Sequence, residues 1–417
     1  MSKTRIWSYE NRLLIMMSLA NGVVALDRLA VNFLAKPIKD EFSLSNTQLG
    51  LLASALSLVI AVSGFLLASL ADATRRRKLV LVVTLVGFSI FSALTGLARS
   101  FGLLLGSRML LGLAEGPICP VAQSVVAIES SPDRRGFNMG IMQNLGAAVV
   151  GAGLGPIVFT QIAAHFGWRS AFYLSCLPGL ILAAVILMTM RPLSGENAPA
   201  TPALAQAAKD GSLWDVLKSR NILLCILISG LFSGWLLVQN IFLALYLQTH
   251  DGLSLTGAGW LISLTGAAMA ISGAAIPALS DRIGRRPALA MITTFGVIAP
   301  LATLYVPAGG PWLGAALFVG WFGAGAGPLY VAIIPAESVG ARHLATAVAI
   351  SLAAGELIGG VASPFIAGRL ADAFGLAAPF WFAAGAAAVC GVLSLFLLET
   401  APRKVKALAA AIPLITA

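Results

Sequence analysis

Two short stretches of this chain read almost alike: LSDRIGRR at residues 279–286 and LADATRRR at residues 70–77. Each places one aspartate a few residues ahead of consecutive arginines, and each lies between long apolar blocks. The same loop therefore recurs in the second half of the chain, which indicates an internal repeat. The repetition predicts two halves of similar architecture.

The composition predicts that the solvent around most of this chain is lipid. Of its 417 residues 58% are apolar and 11% are charged, and the mean hydropathy is +0.91, whereas soluble chains carry about 25% charged residues. Many apolar blocks reach the ~20 residues that cross a hydrocarbon core. We therefore predict an all-α membrane protein with twelve transmembrane helices in two six-helix pseudo-symmetric halves. The predicted spans are 12–36, 47–71, 79–98, 102–128, 136–162, 168–190, 221–248, 255–280, 287–307, 312–337, 344–370 and 377–398.

The longest polar stretch separates the sixth span from the seventh. It predicts an N-terminal six-helix bundle over 1–190, a cytoplasmic linker over 191–220, a C-terminal six-helix bundle over 221–400 and a cytoplasmic tail over 401–417. A short interfacial helix around Trp214 is expected to end the linker.

The net charge of +10 is distributed unevenly between the two sides of the predicted membrane. Most lysines and arginines fall in the loops on the side of the N-terminus, which is the pattern of the positive-inside rule. We therefore expect a multi-pass protein of the cell inner membrane, with both termini cytoplasmic. The basic balance then reflects topology and contact with membrane lipids, and no nucleic-acid partner is predicted.

Five charged residues stand well inside predicted spans: Asp27, Arg28, Arg108, Glu115 and Glu356. A charge at the bilayer centre costs at least ~2.5–3.5 kcal/mol, so each is a functional candidate. Arg108 and Glu115 are two helical turns apart and share one face, roughly 10 Å apart along the axis. The first four residues could surround one polar pocket, or they could pair with one another and hold the bundle together.

The repeated loop resembles the Gly-x-Leu-x-Asp-x-x-Gly-Arg-Arg signature of the major facilitator superfamily. Pro277, Ala68 and Arg75 stand where that signature has glycine. The resemblance implies a twelve-helix secondary transporter that works by alternating access around a site between its halves. It also implies gating roles for Asp72, Arg76, Arg77, Asp281, Arg285 and Arg286.

Within that superfamily, the Asp27-Arg28 pair, the segment from Arg108 to Glu115 and FGWRSAF at 166–172 resemble the anion:cation symporter branch. This resemblance implies proton-coupled symport of a small organic anion, a carboxylate. Arg28 and Arg108 would engage the substrate carboxylate, and Asp27 and Glu115 would carry protons.

Glu356 departs from the branch, whose members tend to have a neutral polar residue there. It could be a further proton site, a partner for a cationic substrate, half of a gate, or a structural residue. Neutral polar residues inside other spans are candidates for hydrogen bonds to substrate, although each is as well suited to bonding a neighbouring helix backbone. They are Gln143, Asn144, Gln239, Asn240 and Tyr330.

A Spinster-like transporter that exports lysolipid or another amphiphile is the alternative, because that branch shares the Asp-Arg pair and the Arg…Glu pair. The sequence has no phosphate-cradling Gly-x-x-x-x-Gly-Lys-Ser/Thr loop, and its three histidines are scattered. We therefore predict no cofactor, no metal and no enzymatic activity. A monomer is expected, with protons and a small organic anion as partners.

Overall fold

A computed structural model of the protein describes residues 8–74, 76–131, 134–191, 213–308, 310–340 and 343–404. Within these residues, twelve helices are long and apolar enough to cross a membrane, which confirms the predicted all-α architecture. In chain order they are α1 (Tyr9–Phe33), α2 (Asn46–Ala71), α3 (Arg77–Gly96), α4 (Phe101–Glu129), α5 (Arg135–Phe166), α6 (Trp168–Thr189), α7 (Arg220–Thr249), α8 (Leu255–Ile283), α9 (Arg285–Tyr305), α10 (Pro311–Glu337), α11 (Thr346–Phe374) and α12 (Ala378–Leu395).

Some local features were not predicted from the sequence. The chain turns after α1 into a separate short helix, Ala35–Phe42, which ends at Ser43 with a φ of 50°. In α5 the backbone is π-helical over Leu145–Leu154, and in α11 it is π-helical over Gly355–Ala362. These two segments are rich in glycine, whereas a third π-helical segment, Leu329–Ile333 in α10, has none. Such stretches occur frequently at functional sites.

The predicted linker and tail lie largely outside the described residues, which exclude 192–212 and 405–417. The short helix expected at the end of the linker is present as Leu213–Leu217. The side chain of Trp214, which was expected at headgroup depth, is outside the described part of the structure.

The first compact unit comprises Met1–Ala200 and Leu243–Ala267. Apolar side chains of α1, α3, α4 and α6 fill its interior, among them Met17, Phe88 and Leu111. Small residues let its backbones touch, because a Cβ added to Gly146 of α5 would overlap the carbonyl oxygen of Ser18 on α1. Close approach at small residues is the usual way that membrane helices gain packing energy.

The second compact unit comprises Thr201–Phe242 and Ala268–Ala417. Its interior contains an aromatic cluster in which Phe232 stacks on Trp235 with ring centroids 4.6 Å apart. Trp321 lies 5.5 Å from Trp235, and the indole nitrogen of Trp235 donates to the carbonyl of Gly296 at 2.8 Å. These aromatic residues therefore pack between helices.

The two halves of the sequence place glycine at equivalent turns and helix contacts. Gly167 before α6 and Gly375 before α12 both have a positive φ, of 80° and 86°, which suits glycine. A Cβ at Gly179 of α6 would overlap the hydroxyl of Ser89 on α3, and one at Gly391 of α12 would lie 2.5 Å from the hydroxyl of Thr294 on α9. The third and sixth helices of each half are thus joined in the same way.

Candidate functional site

Four of the charged residues predicted to matter come together inside the first unit as two ion pairs. Nε of Arg28 lies 2.5 Å from Oε1 of Glu115, and Nη1 of Arg108 lies 3.4 Å from Oδ2 of Asp27. Asp27, Arg108 and Glu115 are buried, whereas 38% of the Arg28 side chain is exposed. The cluster carries no net charge, which limits the cost of placing it in a membrane.

Helix geometry explains why these residues meet. Asp27 and Arg28 are neighbours on α1, so their side chains diverge by about 100° around the helix. Arg108 and Glu115 lie on one face of α4 two turns apart, so each can meet a different member of the α1 pair. Gly112 lies between them, and its carbonyl accepts a hydrogen bond from Ser63 of α2 at 2.9 Å. A Cβ added to Gly112 would lie 2.9 Å from the carbonyl oxygen of Leu56 on α2, so this glycine lets α2 and α4 approach closely.

Two serines that the sequence interpretation did not single out complete the environment of Asp27. Oδ1 of Asp27 accepts hydrogen bonds from the hydroxyls of Ser92 on α3 and Ser175 on α6. Asp27 therefore joins α1, α3, α4 and α6 through three side-chain partners. Hydroxyls are common on membrane helices, and the sequence does not indicate which of them will face a buried carboxylate.

The two acidic residues differ in how fully they are bonded. Both carboxylate oxygens of Asp27 have partners, the two serines at Oδ1 and Arg108 at Oδ2. Oε2 of Glu115, in contrast, is buried without a hydrogen-bond partner among the described residues. A buried polar atom that lacks a partner is unusual and calls for an explanation, such as a bound proton or ligand. Arg108 also donates to the carbonyl oxygen of Arg28 at 3.3 Å, so the two pairs are linked.

The neutral polar candidates on α5 have different surroundings. The side chain of Gln143 is exposed, whereas that of Asn144 lies outside the described residues. Asn21 of α1, which the sequence interpretation passed over, donates to the carbonyls of Met142 and Gln143 at 3.1 and 3.2 Å. It does so just before α5 becomes π-helical, where the change of hydrogen-bond register leaves carbonyls in need of donors.

In the second unit the candidate residues are not bonded to one another. Gln239 is fully buried, and neither atom of its amide has a partner in the described part of the chain. Asn240 donates to the carbonyl of Leu236 in its own helix at 2.9 Å. Tyr330 is buried against Phe232, with ring centroids 6.0 Å apart. Glu356 is the second residue of the π-helical segment of α11 and is half-buried.

The repeated loop at 279–286 forms a charged network at the start of α9. Arg285 pairs with Asp281 at 2.7 Å and with Glu337 of α10 at 2.9 Å. The carboxylate of Glu399 accepts from the backbone nitrogens of Arg285 and Arg286 at 2.7 and 3.2 Å. Glu399 therefore caps the N-terminus of α9, a role that N-terminal acceptors commonly take.

The equivalent loop in the first half is described only in part. The side chain of Asp72 and the whole of Arg75 lie outside the described residues. Arg76 is exposed, and Arg77 is buried at the start of α3. Lys78 donates to the carbonyl of Met190 beyond α6 at 2.5 Å.

Comparison with known proteins agrees with this architecture. The sequence profile of the Major Facilitator Superfamily matches residues 17–353 and 238–415, and the chain belongs to this family. It is 33% identical over 213 residues to a hexuronate transporter of Bacillus subtilis (strain 168), which covers 50% of each chain. The chain spans about half of the length of the first curated relatives that it matches, or less.

Two solved structures have the same fold. A D-xylose-proton symporter superposes with a TM-score of 0.76 and 18% identity, covering 95% of this chain and 99% of that one. A bacterial homologue of the human lysosomal transporter Spinster, in an inward-facing and unoccupied conformation, superposes with a TM-score of 0.68 and 20% identity. The latter match covers 93% of this chain and 95% of that chain. The family match and the twelve apolar helices together show a multi-pass membrane protein of this superfamily.

Proposed function

We propose that this transporter couples the movement of a small organic anion, a carboxylate, to the movement of protons by alternating access. One observation carries the proposal: in the Arg28–Glu115 pair Glu115 is buried, its Oε2 has no hydrogen-bond partner among the described residues, and the Arg28 side chain is 38% exposed. A buried acid paired with a cation that solutes can reach is a direct route to exchange between a proton and an anion.

The coupling follows from competition for Arg28. A substrate carboxylate that binds the guanidinium takes the place of Glu115, because a planar guanidinium forms its paired hydrogen bonds best with one carboxylate at a time. Glu115 then remains buried without its ion-pair partner, which is strongly unfavourable for an ionised carboxylate. Uptake of one proton by Glu115 removes that charge, so anion and proton are carried together. Release of the anion restores the Arg28–Glu115 pair and expels the proton.

Asp27 and Arg108 have a supporting part in this proposal. Arg108 is almost wholly buried and donates to the backbone of Arg28, so it holds the α1 segment that presents Arg28. Sequence resemblance implied that Arg108 engages substrate and that Asp27 carries a proton. The burial of both residues favours Arg28 as the first contact of the anion and Glu115 as the first proton carrier.

The relatives support the substrate class. The Bacillus relative is a hexuronate transporter, and one neighbour in structure is a proton symporter. We propose that neutral polar side chains add hydrogen bonds to the body of the substrate and that Glu356 is a second proton site. The neutral candidates remain Gln143, Asn144, Gln239, Asn240 and Tyr330.

We further propose the topology and gating that the sequence predicts. Both termini are cytoplasmic in an inner-membrane monomer, and the bundles 1–190 and 221–400 are joined by the linker 191–220. The Arg285–Glu337 network supports a gating role for the loop at 279–286, which contains Asp281, Arg285 and Arg286. The equivalent role for Asp72, Arg76 and Arg77 rests on the repeat in sequence.

Proton flux in proteoliposomes loaded with a pH dye tests the proposal. Addition of individual organic acids should acidify the lumen for at least one carboxylate. Glu115→Gln should abolish uphill uptake and proton flux while substrate exchange continues, because a neutral side chain no longer competes for Arg28 or binds a proton. Asp40→Asn is the matched control, since Asp40 is exposed on the helix Ala35–Phe42 and, among the described residues, forms its ion pair with Lys36 at 2.7 Å.

Two results would contradict the proposal. Full uphill uptake by Glu115→Gln would remove Glu115 from proton coupling. A signal with lysolipids and none with any carboxylate would favour the Spinster-like alternative, in which Arg28 binds a lipid headgroup.

A further inference from the structure

A groove of about 450 Å³ runs along the first unit between α1 and α6. Its α1 wall carries Ile15, Leu19 and Val23, and its α6 wall carries Ile181 and Val185. On each helix these residues recur every three or four positions, so they form one stripe per helix. Ile15, Leu19 and Ile181 are among the large apolar side chains that remain exposed.

Among the described residues, side-chain hydrogen bonds join α1 and α6 at the two ends of the groove. At one end the hydroxyl of Ser175 donates to Asp27 at 2.9 Å. At the other end the hydroxyl of Thr189 donates to the sulfur of Met16 at 3.3 Å. Pro178 lines the intervening stretch of α6, where its ring removes a backbone donor and disturbs regular helix packing.

The length of the groove matches one leaflet of a bilayer. Two residues of α1 mark the ends of the groove: Arg12 lines its mouth and Val23 its inner end. At 1.5 Å per residue they are roughly 16 Å apart along the axis, and half of a ~30 Å hydrocarbon core is ~15 Å. The apolar stripe therefore extends from the headgroup level to about the middle of the membrane.

The mouth of the groove is cationic. Arg12 and Arg191 are exposed there, and the guanidinium of Arg191 lies 5.0 Å from the ring centre of Tyr9, whose hydroxyl accepts from the Arg191 backbone nitrogen at 3.0 Å. Lys78 is held near by its bond to the Met190 carbonyl. Among the described residues, no carboxylate forms an ion pair with Arg12 or Arg191. Free guanidinium groups at headgroup depth favour a phosphodiester, which they can bind through two parallel hydrogen bonds.

We propose that the groove between α1 and α6 binds one anionic phospholipid of the leaflet on the side of the N-terminus. Its phosphate contacts Arg12 and Arg191, and one acyl chain lies along the stripes of Ile15, Leu19 and Ile181. A bound lipid fills the gap between α1 and α6 and thereby supports the contact of Asp27 with Ser175. The site faces lipid, and lipid binding there does not require the proposed anion transport.

Native mass spectrometry of the delipidated protein, titrated with dioleoyl-phosphatidylglycerol or dioleoyl-phosphatidylcholine, tests the proposal. The wild type should bind one phosphatidylglycerol in preference to phosphatidylcholine, since the two lipids share chains and differ in headgroup charge. Arg12→Gln with Arg191→Gln should weaken phosphatidylglycerol binding by roughly fivefold per arginine, or roughly 25-fold together. The control Arg220→Gln with Arg403→Gln changes the net charge equally and should leave the affinity unchanged.

A second pair of variants tests the acyl-chain wall. Ile181→Trp fills the groove and should weaken the binding of both lipids, whereas Leu187→Trp, on the exposed surface of α6 away from the groove, should not. Circular dichroism establishes that each variant is folded. Equal affinity of the wild type for the two lipids overturns the proposal. So does an equal loss in the arginine variant and its charge control, or normal phosphatidylglycerol binding by Ile181→Trp.

Discussion

The buried Asp27–Arg108 pair allows a sharp prediction about what its charges contribute. Asp27→Asn keeps the shape of the side chain and an oxygen that can accept from Ser92 and Ser175. It therefore removes the charge while leaving most of the hydrogen bonding. Arg108, which is 1% exposed, would then be buried without its counter-charge. Breaking a buried pair in this way costs about 3–5 kcal/mol, and we expect about 3 kcal/mol, since Arg108 keeps its bond to the Arg28 carbonyl.

Removing both charges should be milder than removing one. Asp27→Asn combined with Arg108→Met leaves no uncompensated charge, so we expect a loss of about 1–2 kcal/mol and a coupling energy of about 2–3 kcal/mol. The free energy of unfolding is measured by denaturant titration in mixed micelles for the wild type, the two single variants and the double variant. Lys36→Met with Asp40→Asn is the control cycle for an exposed pair, for which coupling of about 0.2–1 kcal/mol is expected. Additive losses at Asp27 and Arg108 would refute this account.

Other predictions concern packing, capping and pH. Gly116→Val should abolish folded protein, measured by size-exclusion chromatography, because its side chain would overlap α2; Gly106→Val in the same helix meets no atom within 4 Å and should be tolerated. Glu399→Ala should lower the free energy of unfolding by about 1 kcal/mol through loss of the cap on α9, and Glu399→Gln by less, as measured by denaturation. The hydrogen bond from Arg169 holds the pKa of Glu41 below its usual value. The stability from this pair is therefore present above the ordinary carboxyl pKa and is lost as the pH falls through the lowered one. The thermal midpoint should fall more steeply between pH 5 and pH 3 in the wild type than in Arg169→Gln.

Much of the candidate site could be predicted from charged residues, which are rare inside apolar spans. Asp27, Arg28, Arg108 and Glu115 are conspicuous because charges in apolar spans are costly, and helical spacing places Arg108 and Glu115 on one face. The sequence left open whether these residues line a pocket or pair with one another. The structure pairs them and leaves Arg28 as the one member that is substantially exposed.

Residues of common types could not be selected in advance. Ser92 and Ser175 bind Asp27, and Glu399 caps α9, yet nothing near them in the sequence distinguishes them from other serines and glutamates. The partner of each comes from a distant helix. Such contacts depend on how helices rotate and translate against one another, which local pattern does not encode.

The sequence by itself determined that the chain spans a membrane twelve times, in two repeated halves, with four of the five charges inside the spans in the first half. It could do so because a hydrocarbon core excludes water, so span length and charge position are read directly from the order of residues. Only the tertiary structure decided which charges pair, which carboxylate oxygen remains without a partner, and where α1 and α6 separate to leave a groove. Those features depend on side-chain contacts between distant helices, where shifts of a few ångströms make or break an ion pair.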